Sequence, residues 1–505
     1  MGLKIVETKP TPPEIYNVKI YVTAIIIAAG AMLFGYCASF IGSTLTLPAF
    51  KNDFLPGLTA AEVSSTSANI ISVFQAGAFF GALAGYPSME TIGRKWTLLG
   101  TTVLFLVGAV LQVAATHQIG MIYAGRVLAG LSVGVITAVC PVYLAELSPP
   151  SIRGRLIGFY EIGYQILAVI GFWLIYGIKQ HMDPASSVTW RIPFAIQFIP
   201  GGILLAGCFF LAESPRYLIK AGHPEKAAAN LCWLRNLEPT HPYIEEELAA
   251  TVIEINRERE ITFGLKGGKV ARYFRGLWNE ASAKGIRNRL IIGAFVMMWQ
   301  NMSGINAINY YSPTLFASIG VEDTLLYTGI YGVLKAAASM VFFFLFVDSW
   351  GRRKPLIYGG ICSGLCLLYV AIYIKIGHPD TAEVVTASTQ AGGKAAVAGI
   401  MLFSIFYCFG WNGLAWVICG EIYPTRIRGA CAAWTAMWQW VFQFIIARET
   451  PAMASGMGWG MFLLFALFNF ASVIFVIIWL PETVSRLVFE QSRASAASAE
   501  LRAAC

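Results

Sequence analysis

The chain has 505 residues, of which 57% are hydrophobic and only 13% charged. That charged fraction is about half that of an ordinary soluble domain, which excludes a soluble globule and predicts an integral membrane protein. The net charge of +8 fits basic loops beside a membrane and argues against a nucleic-acid partner. Ten cysteines without a C-x-x-C pair and only five histidines point to neither a disulfide framework nor a metal site.

Residues 1–19 are polar and lack an apolar run ending in small residues, so no removable signal is expected and the first span directs insertion. Apolar windows of about 20 residues, the length that crosses about 30 Å of hydrocarbon, begin at Ile20, Ala68, Thr97, Gly120, Leu156 and Ile192. A second six begin at Leu290, Leu325, Pro355, Ala395, Ala430 and Gly458. The reading is an all-α membrane protein of twelve transmembrane helices. One six-helix bundle occupies 20–212 and a second 290–480. A polar linker of short helices, 213–289, separates them, and a tail, 481–505, follows. Basic residues at Arg94, Lys95, Arg153, Arg155, the linker, Arg352 to Lys354, Arg426 and Arg428 fall in alternate loops. This places those loops, the linker and both termini in the cytoplasm, with the plasma membrane as the expected location.

The chain repeats itself in order. "ETIGRK" from Glu90 returns as "DSWGRR" from Asp348, "ELSPPSIRG" from Glu146 as "EIYPTRIRG" from Glu421, and "AESPR" from Ala212 as "PETVSR" from Pro481. Three matches at offsets near half the chain indicate parallel duplication of a six-helix unit. The seventh span carries the stripe "QNMSGINAINYY" from Gln300. Amides and hydroxyls in hydrocarbon are costly unless they face a partner or a water-filled path.

"GRVLAG" at Gly125, "PVYLAELSPPSIRGR" at Pro141, "AESPRYL", "QNMSGINAINYYSP" and "PET" together resemble the sugar porter family of the major facilitator superfamily, over essentially the whole chain. "TPPEIYNVKIY" and "RGRLIGFYEIGYQ" look most like its fungal branch, which includes quinate permeases and sugar and sugar-acid carriers. The resemblance implies two pseudo-symmetric bundles around a central site that opens to one face at a time. It implies cytoplasmic latches: Glu146 to Arg428 and Glu421 to Arg153 across the halves in the outward-facing state, with Glu90, Arg94, Asp348 and Arg352 in the same gates. Static topology charges are the alternative. Gln300, Asn301 and Asn306 match the family's sugar-contacting amides, which offer a donor and an acceptor to each hydroxyl. Amides that glue helix to helix are the alternative, the better reading for Asn309. By similarity Trp416 and Trp440 stack on a sugar ring, with Gln439 beside them, and Glu161 and Gln165 are further candidate ligands.

Intramembrane charges complete the pattern. Arg126 matches the family's arginine in span 4. Lys335, thirteen residues before Asp348, sits near mid-membrane at 1.5 Å rise per residue; it either attracts a carboxylate-bearing substrate or is paired structurally. Proton-driven members read Gly-Tyr-Asp in the first span, whereas here Gly35 and Tyr36 precede Cys37, and Gln197 stands where some symporters place a glutamate. A thiol, ordinarily near about pKa 8.5, is neutral at physiological pH and does not replace a loading carboxylate. Two readings stay open: a facilitator, or proton coupling through Glu161, which would approach Arg126. A sugar or polyol carrier leads, with a quinate or sugar-acid proton symporter as the alternative. A nutrient sensor and an enzyme are remote, because only a short segment follows "PET" and no nucleophile–base or metal pattern lies in the spans. No cofactor is implied beyond a co-transported proton. The expected partners are a small polyol and the bilayer, and the carrier is expected to act as a monomer.

Overall fold

The computed structural model describes residues 11–149, 151–260, 269–346, 350–377, 387–424 and 427–480. Among these, the first half comprises α1 (Val18–Thr44), a short α2 (Pro48–Phe54), α3 (Ala60–Thr91), α4 (Arg94–Val113), α5 (Ile119–Leu147), α6 (Arg153–His181), and the pair α7 (Val188–Ile196) and α8 (Phe198–Phe210). The linker holds α9 (Pro215–Lys220), α10 (Pro224–Arg235), α11 (Pro242–Glu260) and α12 (Lys269–Ser282). The second half comprises α13 (Lys284–Met302), α14 (Ile305–Ala317), α15 (Thr324–Val341), α16 (Arg353–Gly377), α17 (Ala387–Gly410), α18 (Leu414–Ile422), α19 (Arg428–Met457) and α20 (Trp459–Trp479).

Eleven spans are long and apolar enough to cross a membrane, and the twelfth is the pair α13 and α14. Their separation has a local cause: Gly304 lies at φ +94°, with the Phe465 ring against the place a Cβ would occupy. Tyr311 then leaves helical geometry just ahead of Pro313. Span 10 is likewise split, at Trp411 to Gly413 between α17 and α18. Several helices outrun their apolar windows. α3 begins at Ala60 rather than Ala68 because Thr59 and Glu62 form a capping box that satisfies its first N–H groups. The second bundle begins at Lys284, six residues before Leu290, and carries its first basic residues on the helix itself.

The duplication is visible in packing. In the first half α4 packs on α5 and α8, α3 on α5, and α1 on α6; in the second, α16 packs on α17 and α20, α15 on α17, and α13 on α19. Each pairing recurs six spans later. Between the halves α3 meets α19 and α6 meets α15, two seams related by the same pseudo-symmetry. We name the two sides by what they carry: the linker face and, opposite, the far face. Toward the far face α1 also meets α14.

Small residues set how closely these backbones approach. A Cβ at Gly130 or Gly134 of α5 would overlap the Phe74 or Ala78 carbonyl of α3. A Cβ at Gly35 would overlap the Tyr164 carbonyl inside the first half, and one at Gly42 the Tyr310 carbonyl across the halves. The two α1 glycines therefore differ in what they hold together. Gly35→Ala is expected to lower the melting temperature of the purified protein, overpacking of this kind costing about 1–3 kcal/mol. Gly42→Ala is expected to push the far-face ends apart instead, read as faster labelling of a reporter cysteine on that face with a smaller loss in melting temperature. Equal behaviour of the two variants would contradict this division.

Candidate functional site

The polar stripe of span 7 is turned inward and almost fully buried: Gln300 is 4% exposed, Asn301 0% and Asn306 8%. The Asn306 amide donates to Asn301 Oδ1 (2.6 Å), and Asn301 donates to Gln439 Oε1 on α19 (2.8 Å). Gln439 continues to Gln443 (3.4 Å), and Gln443 donates to the Tyr310 hydroxyl (2.6 Å). A row of amides therefore runs from α14 through α13 and α19 and back to α14. Such a row presents alternating donors and acceptors, which is what a ligand with several hydroxyls requires.

Gln300 does something the sequence did not disclose. Its Nε2 donates to the carbonyls of Trp411 (3.1 Å) and Asn412 (2.6 Å), the groups freed by the break in span 10, while its Oε1 has no hydrogen-bond partner. One end of the side chain thus satisfies the carbonyls freed by the break in span 10, and the other is a buried acceptor without a hydrogen-bond partner. Asn412, freed from helical geometry, donates to Glu161 Oε1 (2.8 Å) and Ser339 Oγ (2.9 Å). Gln165 donates to the same two acceptors, at 2.8 and 3.2 Å. Glu161 and Gln165 of the first half are in this way tied to α15 and the span 10 break of the second. Glu161, Asn412, Gln439 and Trp416 are all half-buried.

The tryptophans separate in role. Trp440 is 1% exposed, with Phe34 at 5.1 Å and Phe74 at 6.2 Å, and its Nε1 donates to Thr137 Oγ1 (3.3 Å). Its ring is covered by the first half, unlike the sugar-stacking platform the resemblance implies. Trp416 keeps partial exposure between the two hydrophobic cores. Lys335 donates to Asn309 Oδ1 (3.1 Å), which also accepts from Tyr331, and lies 5.6 Å from the Tyr164 ring centre. Asn309 thus serves the lysine and not the amide row.

The coupling candidates part company. Cys37 is buried and its Sγ donates to Gln197 Oε1 (3.5 Å). Arg126 is fully buried, with Nε donating to the Ile70 carbonyl (3.3 Å) and its guanidinium over the Phe74 ring (4.4 Å). Glu161 does not pair with Arg126; its carboxylate is committed to Gln165 and Asn412.

At the linker face the repeated motifs build equivalent ion pairs inside each half. Arg94, 1% exposed, binds Glu90 (2.7 Å) and Glu146 (3.0 Å), and Arg352 binds Glu421 (3.0 Å). Each arginine follows a glycine at positive φ, Gly93 (+105°) and Gly351 (+74°), a turn that L side chains disfavour. Glu146 does not reach Arg428 in this conformation: its oxygens are taken by Arg94 and Ser214, with Arg216 at 4.0 Å. Arg428 instead lies within the electrostatic reach of Glu254 and Glu421. Asp348 is outside the described residues, as is the Arg153 side chain. The linker joins this network through Lys220 to Glu90 (2.7 Å) and Glu258 (2.5 Å), and through Arg216 to Glu254 (2.9 Å) and Glu258. Burial alone would lower the Lys220 ammonium, but the carboxylates of Glu90 and Glu258 outweigh it and hold it above its ordinary value. Burial pushes the Glu213 carboxyl up, against the backbone N–H groups of Ser214, Lys95 and Arg94.

Asn412, Ser339 and Gln443 join the candidate site although motif matching did not select them, and Tyr310 of the stripe ends the amide row. Two signals were present: Ser339 and Gln443 stand one turn beyond Lys335 and Gln439, and "GWNG" is a helix breaker within an apolar run. Asn306→Ala is expected to raise KM for the carried substrate about 2- to 10-fold, the size of one net hydrogen bond, with normal surface abundance and a small fall in melting temperature from the stranded Asn301 Oδ1. Gln300→Ala is expected to raise KM and also lower the melting temperature, because it strands two carbonyls. Unchanged KM in both variants would contradict the assignment.

Residues 23–494 match the family described as sugar (and other) transporter. The chain is 42% identical over 487 residues to a probable quinate permease of Aspergillus flavus, covering 95% of this chain and 89% of the relative. It is 41% identical over 486 residues to the quinate permease of Emericella nidulans, at the same coverage. The xylose transporter XylE from E. coli, in a partially occluded inward open conformation, superposes with a TM-score of 0.74 at 21% identity, over 92% of this chain and 99% of that one. Family match, relatives, duplicated twelve-span packing and inward-facing polar row agree, and the chain belongs to the sugar porter family of the major facilitator superfamily.

Proposed function

We propose that the protein carries one polyol-sized substrate at a time by alternating access, as a monomer, with the linker face and both termini on the cytoplasmic side of the plasma membrane. The observation that carries this reading is the amide row Asn306, Asn301, Gln439 and Gln443 beside the broken spans 7 and 10. Non-helical backbone at membrane depth is tolerated where it is buried in protein or lines a cavity. Gln300 Oε1, Asn306, Gln439 and the half-buried Trp416 would hold the ring and its hydroxyls, with Glu161, Gln165 and Asn412 closing the site from the seam between halves. The bundles 20–212 and 290–480 would rock about the α3–α19 and α6–α15 seams, while the linker-face ion pairs break and re-form. The close α1–α14 approach supports a conformation shut toward the far face.

Two finer choices follow. The Cys37–Gln197 pair, uncharged at physiological pH, supports facilitated rather than proton-coupled transport; coupling through Glu161 is the alternative. The resemblance to quinate permeases, with Lys335 beside the site, supports a carboxylate-bearing polyol as a second substrate reading. The test is uptake of labelled sugars, cyclitols and quinate by cells lacking their own carriers, with and without a protonophore. Equilibrative uptake insensitive to the protonophore is expected. Accumulation against a gradient that the protonophore abolishes and Glu161→Gln reduces to equilibration would replace the facilitator with the Glu161-coupled carrier. Absence of uptake for every polyol would remove the carrier reading itself.

A further inference from the structure

We infer that the buried Arg126 guanidinium is the receptor for a monovalent anion, supplied either by the carboxylate of the substrate or by free chloride. The inference rests on the polyol-carrier reading and adds the charge of the cargo to it. Arg126 is 0% exposed, yet neither Nη1 nor Nη2 has a hydrogen-bond partner. Its Nε meets one backbone carbonyl and its face meets Phe74. Among the described residues no carboxylate contacts it, and the groups within its electrostatic reach are the Cys37 thiol and the Tyr310 phenol. Both are neutral in physiological conditions, and both are engaged elsewhere, Cys37 with Gln197 and Tyr310 with Gln443.

Lys335 differs: it has Asn309 as acceptor and a carboxylate, Glu161, within electrostatic reach. Arg126 leaves one positive charge uncompensated inside the bundle, and a buried charge without a counter-ion is strongly unfavourable. A planar guanidinium with both Nη groups unpaired matches the two oxygens of a carboxylate, and it also accepts a compact halide. Its position suits a cargo: the amide row that would hold hydroxyls ends on Tyr310, the phenol within reach of Arg126. Phe74, Gln75 and Tyr310 are all buried around this place, so their side chains must swing aside as the site loads.

The probes are quinate and its uncharged amide, which keeps the same ring hydroxyls, with the purified carrier reconstituted in liposomes in chloride or in sulfate medium. If the substrate supplies the anion, Arg126→Gln raises KM for quinate about 10- to 100-fold, the size of charge-assisted hydrogen bonds. KM for the amide then stays within about twofold, and Arg126→Lys recovers part of the loss. If chloride supplies it, wild-type uptake of the amide falls several-fold in sulfate medium, and Arg126→Gln removes that dependence. Equal loss for quinate and amide in both media overturns the inference and leaves Arg126 structural. An Arg126→Gln effect that disappears in a Glu161→Gln background also overturns it, because Glu161 is then the partner in another conformation. Should Arg126→Gln fail to fold, wild-type melting temperature decides: a rise with quinate that its amide does not give, or with chloride over sulfate, supports the inference, and neither rise overturns it. Uptake blind to substrate charge sinks this inference alone, whereas no uptake of any polyol sinks the carrier reading.

Discussion

One hydrogen-bonded join organises the candidate site: the Gln300 amide of span 7 donating to the carbonyls of Trp411 and Asn412 in span 10. In hydrocarbon a freed backbone carbonyl costs several kcal/mol, so span 10 can be broken at mid-membrane only where something donates to it. Gln300 meets that need, and the break in turn frees the Asn412 side chain to reach across the halves to Glu161. Span 7 is itself broken at Gly304. Span 7 thus satisfies the break in span 10, while the Ser303 carbonyl beside its own break accepts from Asn469 of α20.

Around that junction the pseudo-symmetry separates rigid from sliding contacts. Pairings within a half are duplicated, and glycines against backbone carbonyls make them close, as Gly42 does once between the halves. Pairings between halves run mainly along the α3–α19 and α6–α15 seams, with the α1–α14 and α5–α19 approaches beside them, and at the α6–α15 seam the bonds are side-chain amides and hydroxyls. Such bonds exchange for water or ligand at small net cost. At the linker face each glutamate is held by an arginine of its own half, and the linker helices add Lys220 and Arg216. The linker joins the first bundle's ion-pair cluster directly, through the same carboxylates that the motif supplies.

Charge inside the bundle is distributed unequally. Glu161 and Lys335 lie at the α6–α15 seam within electrostatic reach of one another, whereas Arg126 lies deep in the first half with an aromatic face and a carbonyl for company. Replacement of two carboxylate positions by Cys37 and Gln197 leaves a neutral hydrogen-bonded pair beside a cation.

The amino-acid sequence by itself determined the span count, the two-bundle duplication, the position of the linker and the inward stripe from Gln300 to Tyr311, because apolar length, repeated motifs and costly polar residues are local properties. It also supplied the glycine–arginine turns that place Arg94 and Arg352. Partner choice was decided elsewhere. That Gln300 binds backbone, that Trp440 is covered by Phe34 and Thr137, that Glu146 meets Arg94 in this conformation, and that Glu161 faces Asn412 and leaves Arg126 alone are all tertiary outcomes. Periodicity says which face of a helix is polar; it does not say which other helix, often more than a hundred residues away, is rotated to meet it. In hydrocarbon that rotation is settled by close backbone packing at small residues and by the need to satisfy every buried polar group, and both are properties of the assembled bundle.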